Sequence, residues 1–284
     1  PQRVVEAFGC NPPDAYIDQL ATQVGSARPP VWINLEYLSA ESYVARMHRL
    51  PSPISFGPAA GWIRWFFYPG FTTDTGGLLR EGDLPARQAQ FDRNAWRQQH
   101  GMAADDTVIS LFSYEPPGLL AWWHMLQCSA NAARTVLAVT PGRSARILPS
   151  VQQTSDVVRT VPLPATDQAG FDAMLWASDL NMVRGEDSLV RALWAGQPFI
   201  WHIYPQDDNA HHDKLAAFLD WLNAPASLRV AHLLWNGIDT RTAWPSITPA
   251  LLAEWRACVQ AARNKLLAQQ DLAEQLIAFA GEKG

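Results

Sequence analysis

Cysteine is scarce in this chain. There are three in 284 residues, Cys10, Cys128 and Cys258, far apart and with no CxxC pair. That excludes a disulfide framework and a thiolate zinc cluster, and predicts buried thiols in a reducing compartment, the cytoplasm. No apolar stretch approaches the ~20 residues that span a bilayer, and no signal peptide is visible. An excess of positive charge is also lacking. Lys and Arg number 22 against 27 Asp and Glu, a formal net charge of −5, which argues against binding nucleic acid through its phosphates. Gly76-Gly77 fits neither GxGxxG nor a P-loop, so a dehydrogenase or an ATP-binding reading finds no fingerprint. GxSxG and HExxH are absent, as are internal repeats and low-complexity tracts. There is no initiator methionine. Pro1-Gln2-Arg3 runs at once into a strand pattern over residues 4–8, and an N-terminal segment is expected to be missing.

What is present is a composition suited to a sizeable core, 48% hydrophobic and 17% charged, at a length that allows about two domains. Most of the thirteen Trp are expected in cores. Strand patterns over residues 4–8, 31–35 and 62–68 alternate with helical patterns over 15–24 and 39–50, and residues 51–58 read as a proline-rich loop. Residues 88–101 read as a polar helix. The alternation then restarts: strands over 108–112, 135–140, 157–163, 180–183 and 199–204, and helices over 119–131, 171–177, 188–195 and 209–222. Thr248 and Pro249 open a last helix running to about residue 280, kinked near 264–271. This order predicts an α/β protein of two doubly wound halves. The predicted divisions are 1–103, 104–247 and a final helix over 248–284. Ligands of such sheets bind beyond the carboxyl ends of the strands.

The most informative five residues are Arg184-Gly185-Glu186-Asp187-Ser188, between a strand pattern and a helix pattern. Free N–H groups at a helix start, with the helix dipole, seat a phosphate. Gly185 permits a sharp turn, Asp187 or Ser188 can cap the helix, and Arg184 can pair with the same charge. Glu186 is discordant at an anion seat and suits a cationic group or a sugar hydroxyl. The bland alternative is a capped turn with solvated charges. Tyr204, ahead of Pro205-Gln206-Asp207-Asp208-Asn209, can stack on a base or close over a phosphate; the alternative is a loop with Asn209 as a cap. Phe112 and Tyr114, two residues apart, face one side of an extended segment and line a crevice or the core. Gln168 and Phe171 stand at another strand-to-helix transition, where an amide and a ring suit a base. His202, Asp207, His211, His212 and Asp213 match no standard metal set, and adjacent helical histidines are expected to diverge.

Gly70-Phe71-Thr72 with Thr75-Gly76-Gly77-Leu78, Leu111–Tyr114, Arg184–Ser188 and the run from Phe199 to Asp207 together resemble the bacterial protein-arginine rhamnosyltransferases that modify translation elongation factor P. The resemblance covers nearly the whole chain and is most specific from Arg184 to Asp207. It implies the GT-B fold, two Rossmann-like domains facing a cleft, here with the first incomplete. It also implies inverting transfer of L-rhamnose from dTDP-β-L-rhamnose to an arginine of that factor, with no cofactor or metal. By the same resemblance Glu186 is the catalytic glutamate, and Asp187 and Ser188 hold the diphosphate. Arg184 and Tyr204 contact the donor, and Phe112, Tyr114, Gln168 and Phe171 wall the nucleotide. Residues 163–167 lack the aromatic expected beside the thymine. The family's Asp-Asn-x-Gly-Asp-type loop, which supplies catalytic aspartates, is also absent, so this chain alone is expected to be inactive. The competing readings are another GT-B enzyme with a different sugar nucleotide, and a non-catalytic module that binds a nucleotide sugar or the elongation factor.

Overall fold

The computed structural model describes residues 2–25, 28–129, 134–148 and 158–284. The chain divides into two compact units, Pro1–Arg80 with Lys265–Gly284, and Glu81–Asn264.

The first unit contains β1 (Arg3–Ala7), α1 (Asp14–Val24), β2 (Val31–Leu35), α2 (Ser42–Met47), β3 (Pro51–Pro53) and β4 (Ile63–Phe67). The sheet order is β1-β2-β4-β3; β1, β2 and β4 run parallel and β3 antiparallel. Side chains alternate across β2. Val31 and Ile33 join Phe67, Phe279 and Ala280 in one cluster, while Trp32 joins Val4, Ile17, Leu20 and Ala59 in another. Two expectations change. The proline-rich loop supplies an edge strand, where a residue without an N–H is tolerated. The helix expected over 39–50 spans only Ser42–Met47, because the Ser39 hydroxyl donates to the Glu41 carboxylate (2.8 Å) and accepts from the Glu41 N–H (3.1 Å).

The second unit begins with α3 (Leu84–Ala89) and α4 (Arg93–Gln99), followed by β5 (Thr107–Leu111), α5 (Leu119–Gln127), β6 (Thr135–Val139), α6 (Arg143–Ile147) and β7 (Arg159–Pro162). Then come α7 (Gln168–Ala177), β8 (Leu180–Arg184), α8 (Gly185–Ala195), β9 (Phe199–His202), α9 (Ala210–Trp221), α10 (Ala226–Trp235) and α11 (Pro249–Leu267). Residues 130–131 of the expected helix and residue 157 of the expected strand lie outside the described residues. All the pairings are parallel, in the order β7-β6-β5-β8-β9. Strands covered on both faces read as continuous apolar runs, and every residue of β6 is buried. The second unit begins at Glu81, ahead of the division expected at residues 103/104. The reason is ionic. Buried Arg97 donates to the Ala177 carbonyl (2.9 Å) and to Asp179 (2.7 Å), and Arg93 to Asp179 (2.5 Å), which ties α4 to the end of α7.

The expected last helix is broken rather than kinked. It ends at Leu267, and Asp271 caps α12 (Leu272–Lys283) by accepting from the N–H groups of Ala273 (2.7 Å) and Glu274 (3.1 Å). The thiols are not core residues. Cys10, in the turn after β1, and Cys128, at the end of α5, are exposed, and Cys258 is half-buried; none of the three is in a disulfide. Both exposed positions are where the chain leaves an element, so no layer covers them. Trp122, Trp123, Trp235 and Trp255 are fully buried. Among the described residues no helix is long and apolar enough to cross a membrane.

Candidate active site

From β5 the chain winds through β6 to β7 on one side, and from β8 to β9 on the other. The gap beyond the carboxyl ends of β5 and β8 is therefore a topological switch point, where open parallel sheets bind ligands. A cavity of about 670 Å³ opens there, lined by Phe112 and Tyr114 after β5, Arg184 through Ser188 after β8, Gln168 and Phe171 on α7, and Arg143, Thr166 and Asp167.

Alternation shapes the segment after β5. Buried Ser113 turns inward; its hydroxyl pairs with His202 Nδ1 (3.0 Å) and its N–H donates to Ser144 Oγ (2.9 Å). Phe112 and Tyr114 must then face the other way. The Arg184 guanidinium lies 4.5 Å from the Phe112 ring centre and 4.6 Å from that of Tyr114. Such contacts fix a cation without neutralising it. Phe171 meets Phe112 edge-on at 5.2 Å. Arg143 lies 5.5 Å from the Tyr114 ring and pairs with Glu115 at 3.3 Å.

The helix after β8 starts earlier than the sequence suggests, at Gly185 rather than Ser188. Gly185 adopts φ 63°, and a Cβ there would stand 3.1 Å from the Tyr114 hydroxyl. Glycine thus serves both the left-handed turn and the close approach. Neither Asp187 nor Ser188 is the cap. The N-cap is Arg184, which makes no side-chain capping bond. The Ser188 hydroxyl instead accepts from the Arg184 N–H (2.9 Å) and donates to the Arg184 carbonyl. Helix geometry then leaves the N–H groups of Gly185, Glu186 and Asp187 without intrahelical partners at the positive end of the dipole. Trp201 Nε1 donates to the Gly185 carbonyl at 2.8 Å and anchors the turn.

The structure gathers Phe112, Tyr114, Gln168, Phe171, Arg184, Glu186, Asp187 and Ser188 around one cavity. Tyr204 does not line it; 63% exposed, it stands beside the Tyr114 ring at 5.7 Å. The rings of His211 and His212 do not diverge; their centres are 4.3 Å apart. Local sequence reading missed four groups. Arg143 opens α6, Thr166 and Asp167 lie just ahead of α7, and Lys214, on α9, donates to Glu186 Oε1 at 2.6 Å. Lys214 is separated from its partner by a whole strand, and no spacing rule relates them.

His202 closes the floor beneath Ser113. Burial, then the charges of Arg184 and His211, lower its pKa from 6.5 to about 4, and burial does the same for His232 in α10. The unfolded chain takes up these protons near 6.5 and the native chain only near 4. Stability is therefore complete above 6.5 and falls as the pH drops from 6.5 toward 4. Thermal melts across that window should show the decline, and His202→Asn should reduce its slope. A flat profile would contradict the buried neutral rings.

The sequence model of the family described as elongation factor P (EF-P) rhamnosyltransferase EarP matches residues 1–281. The protein-arginine rhamnosyltransferase of Pseudomonas putida is 39% identical over 97% of this chain and 77% of its own length. That of Pseudomonas aeruginosa is 37% identical with the same coverage. A solved structure concerned with EarP-mediated arginine glycosylation of translation elongation factor EF-P superimposes with a TM-score of 0.61 at 26% identity, covering 99% of this chain and 98% of that one. A trehalose-6-phosphate synthase, OtsA, shares the fold at a TM-score of 0.50 and 11% identity, over 99% of this chain and 66% of that one. The paired Rossmann-like units are those of GT-B glycosyltransferases. With the matched segment running through both sheets and across the switch-point cavity, this chain belongs to the elongation factor P rhamnosyltransferase family.

Proposed function

We propose that the cavity takes dTDP-β-L-rhamnose and that the enzyme passes the sugar, with inversion, to an arginine of translation elongation factor P in the cytoplasm. One observation carries this reading: α8 starts at the switch point with the positive end of its dipole beside a ring-stacked arginine and a carboxylate. The N–H groups of Gly185, Glu186 and Asp187 take the diphosphate. Ser188 fixes the turn beneath it, and Arg184 stabilises the charge that grows as the diphosphate departs. Phe112, Phe171 and Gln168 hold the base and ribose, and Tyr204 covers the donor from the rim. No metal is needed where backbone and guanidinium supply the positive field. A protonated guanidinium is a poor nucleophile. Glu186 orients it, a carboxylate such as those of the family's aspartate loop takes one of its protons, and the freed nitrogen lone pair attacks the anomeric carbon from the face opposite the diphosphate as the bond to the departing diphosphate breaks. Exposed free thiols accord with a reducing compartment.

Calorimetry tests the donor. dTDP is expected to bind the chain at least ~10-fold more tightly than UDP or GDP, a difference of about 1.4 kcal/mol. Mass spectrometry tests the acceptor: the full-length product with dTDP-β-L-rhamnose should add one deoxyhexose to an arginine of elongation factor P. Equal affinity for all three nucleotides would favour a different sugar nucleotide, and an unmodified factor would refute the acceptor.

A further inference from the structure

Beside this cavity stands a cation to which the proposed reaction gives no task. Lys214 Nζ is 2.6 Å from Glu186 Oε1, with side chains only 19% and 28% exposed. Lys214 is not one of the residues lining the cavity, whereas Glu186 is. It reaches the site through Glu186.

Its position is set by packing. Leu215, Phe218 and Leu219 bury one face of α9. Phe218, one turn beyond Lys214, meets the Trp201 ring at 5.3 Å. The indole N–H of Trp201 in turn donates to the Gly185 carbonyl at 2.8 Å. The helix that carries the ammonium is thus tied to the turn that carries the anion seat.

Glu186 is the second residue of α8, among the N–H groups that would receive a diphosphate. An uncompensated carboxylate there repels the ligand that the helix start attracts. We propose that Lys214 is a positioning residue: its ammonium offsets and anchors the Glu186 side chain, so that one short turn holds both an acidic residue and a diphosphate seat. The inference rests on the reading of the cavity as a diphosphate site.

The test is a charge cycle on the full chain, read by calorimetry with inorganic pyrophosphate and separately with dTDP. Lys214→Met is expected to weaken both ligands ~10-fold, by removing the positive charge beside the Glu186 carboxylate. Lys214→Arg should bind normally. The double variant Lys214→Met/Glu186→Gln should return to within ~3-fold of wild type, because nothing is left to compensate. A merely structural role for Lys214 would show no such rescue. Unchanged binding by Lys214→Met, or a double variant as weak as the single one, overturns the proposal. If Lys214→Met does not fold, the double and arginine variants decide: weak binding by the double variant while the arginine variant binds normally overturns it. The pyrophosphate arm keeps the two readings separable. dTDP binding no better than UDP refutes the nucleotide assignment, while the pyrophosphate cycle still decides the role of Lys214.

Discussion

Glu186→Gln is expected to slow rhamnose transfer by the full-length enzyme ~10²–10³-fold, about 3–4 kcal/mol in the barrier. The affinity for dTDP should meanwhile hold or rise. The amide keeps the volume of the side chain and its place in the first turn of α8. It cannot attract and align a cationic guanidinium, and it leaves the Lys214 ammonium, 2.6 Å away in the native pair, available to an anion. Loss of kcat without loss of donor binding separates an interaction made with the acceptor in the transition state from one made with the nucleotide. Initial rates by mass spectrometry, set beside dTDP calorimetry, make the measurement. Near-normal transfer would remove Glu186 from the chemistry, and a collapse of dTDP binding would reassign it to the donor.

Arg191→Met is expected to destabilise the second unit by about 3–5 kcal/mol. Arg191 lies on α8, and its guanidinium donates to both oxygens of Asp172 on α7, at 2.7 Å through Nε, and to both oxygens of Glu81, at 2.8 and 2.6 Å. The side chains of Arg191 and Asp172 are 4% and 3% exposed. Desolvation alone would raise the Glu81 carboxyl, but hydrogen bonds from Arg191 prevail and hold it below its usual range. Removing the arginine leaves Asp172 buried with Arg87, at 3.5 Å, as its remaining ionic partner among the described residues. Replacing both partners, as Asp172→Leu/Arg191→Met, should recover most of the loss, since the cost comes from an orphaned charge. Urea denaturation of the three proteins checks this. A single variant within ~1 kcal/mol of wild type would mean that water or Arg87 already satisfies Asp172. The pair also joins the two helices that wall the cavity, so dTDP affinity should fall with stability in the single variant.

Much of the architecture is legible in the sequence because it is written locally. The runs at 31–35 and 135–139 are apolar but for Asn34 and Thr135, since both faces of a parallel strand are covered. Gly185 marks a turn that only a residue without a Cβ makes comfortably. Arg184–Ser188 stands out because it interrupts two apolar patterns. The boundaries are less legible. The helix start at Gly185 depends on Ser188 bonding back to Arg184, the edge strand at Pro51–Pro53 on β4 being beside it, and the break at 268–271 on Asp271 capping a new helix. The exposed thiols follow from which element ends the layers leave uncovered. None of these is a property of a residue and its near neighbours.

The sequence by itself determines the alternation of strand and helix, the family to which the chain belongs, and the five residues that turn from β8 into α8. Those are set by periodicity, backbone freedom and residue type along a short stretch. The tertiary structure decides that β5 and β8 lie side by side at the switch point. That adjacency brings Phe112 and Tyr114 over Arg184, sets Arg191 between α7 and α8, and lets Lys214 of α9 reach Glu186. Charges and rings act across a few ångströms of space regardless of their separation along the chain, so only the folded chain shows which of them meet.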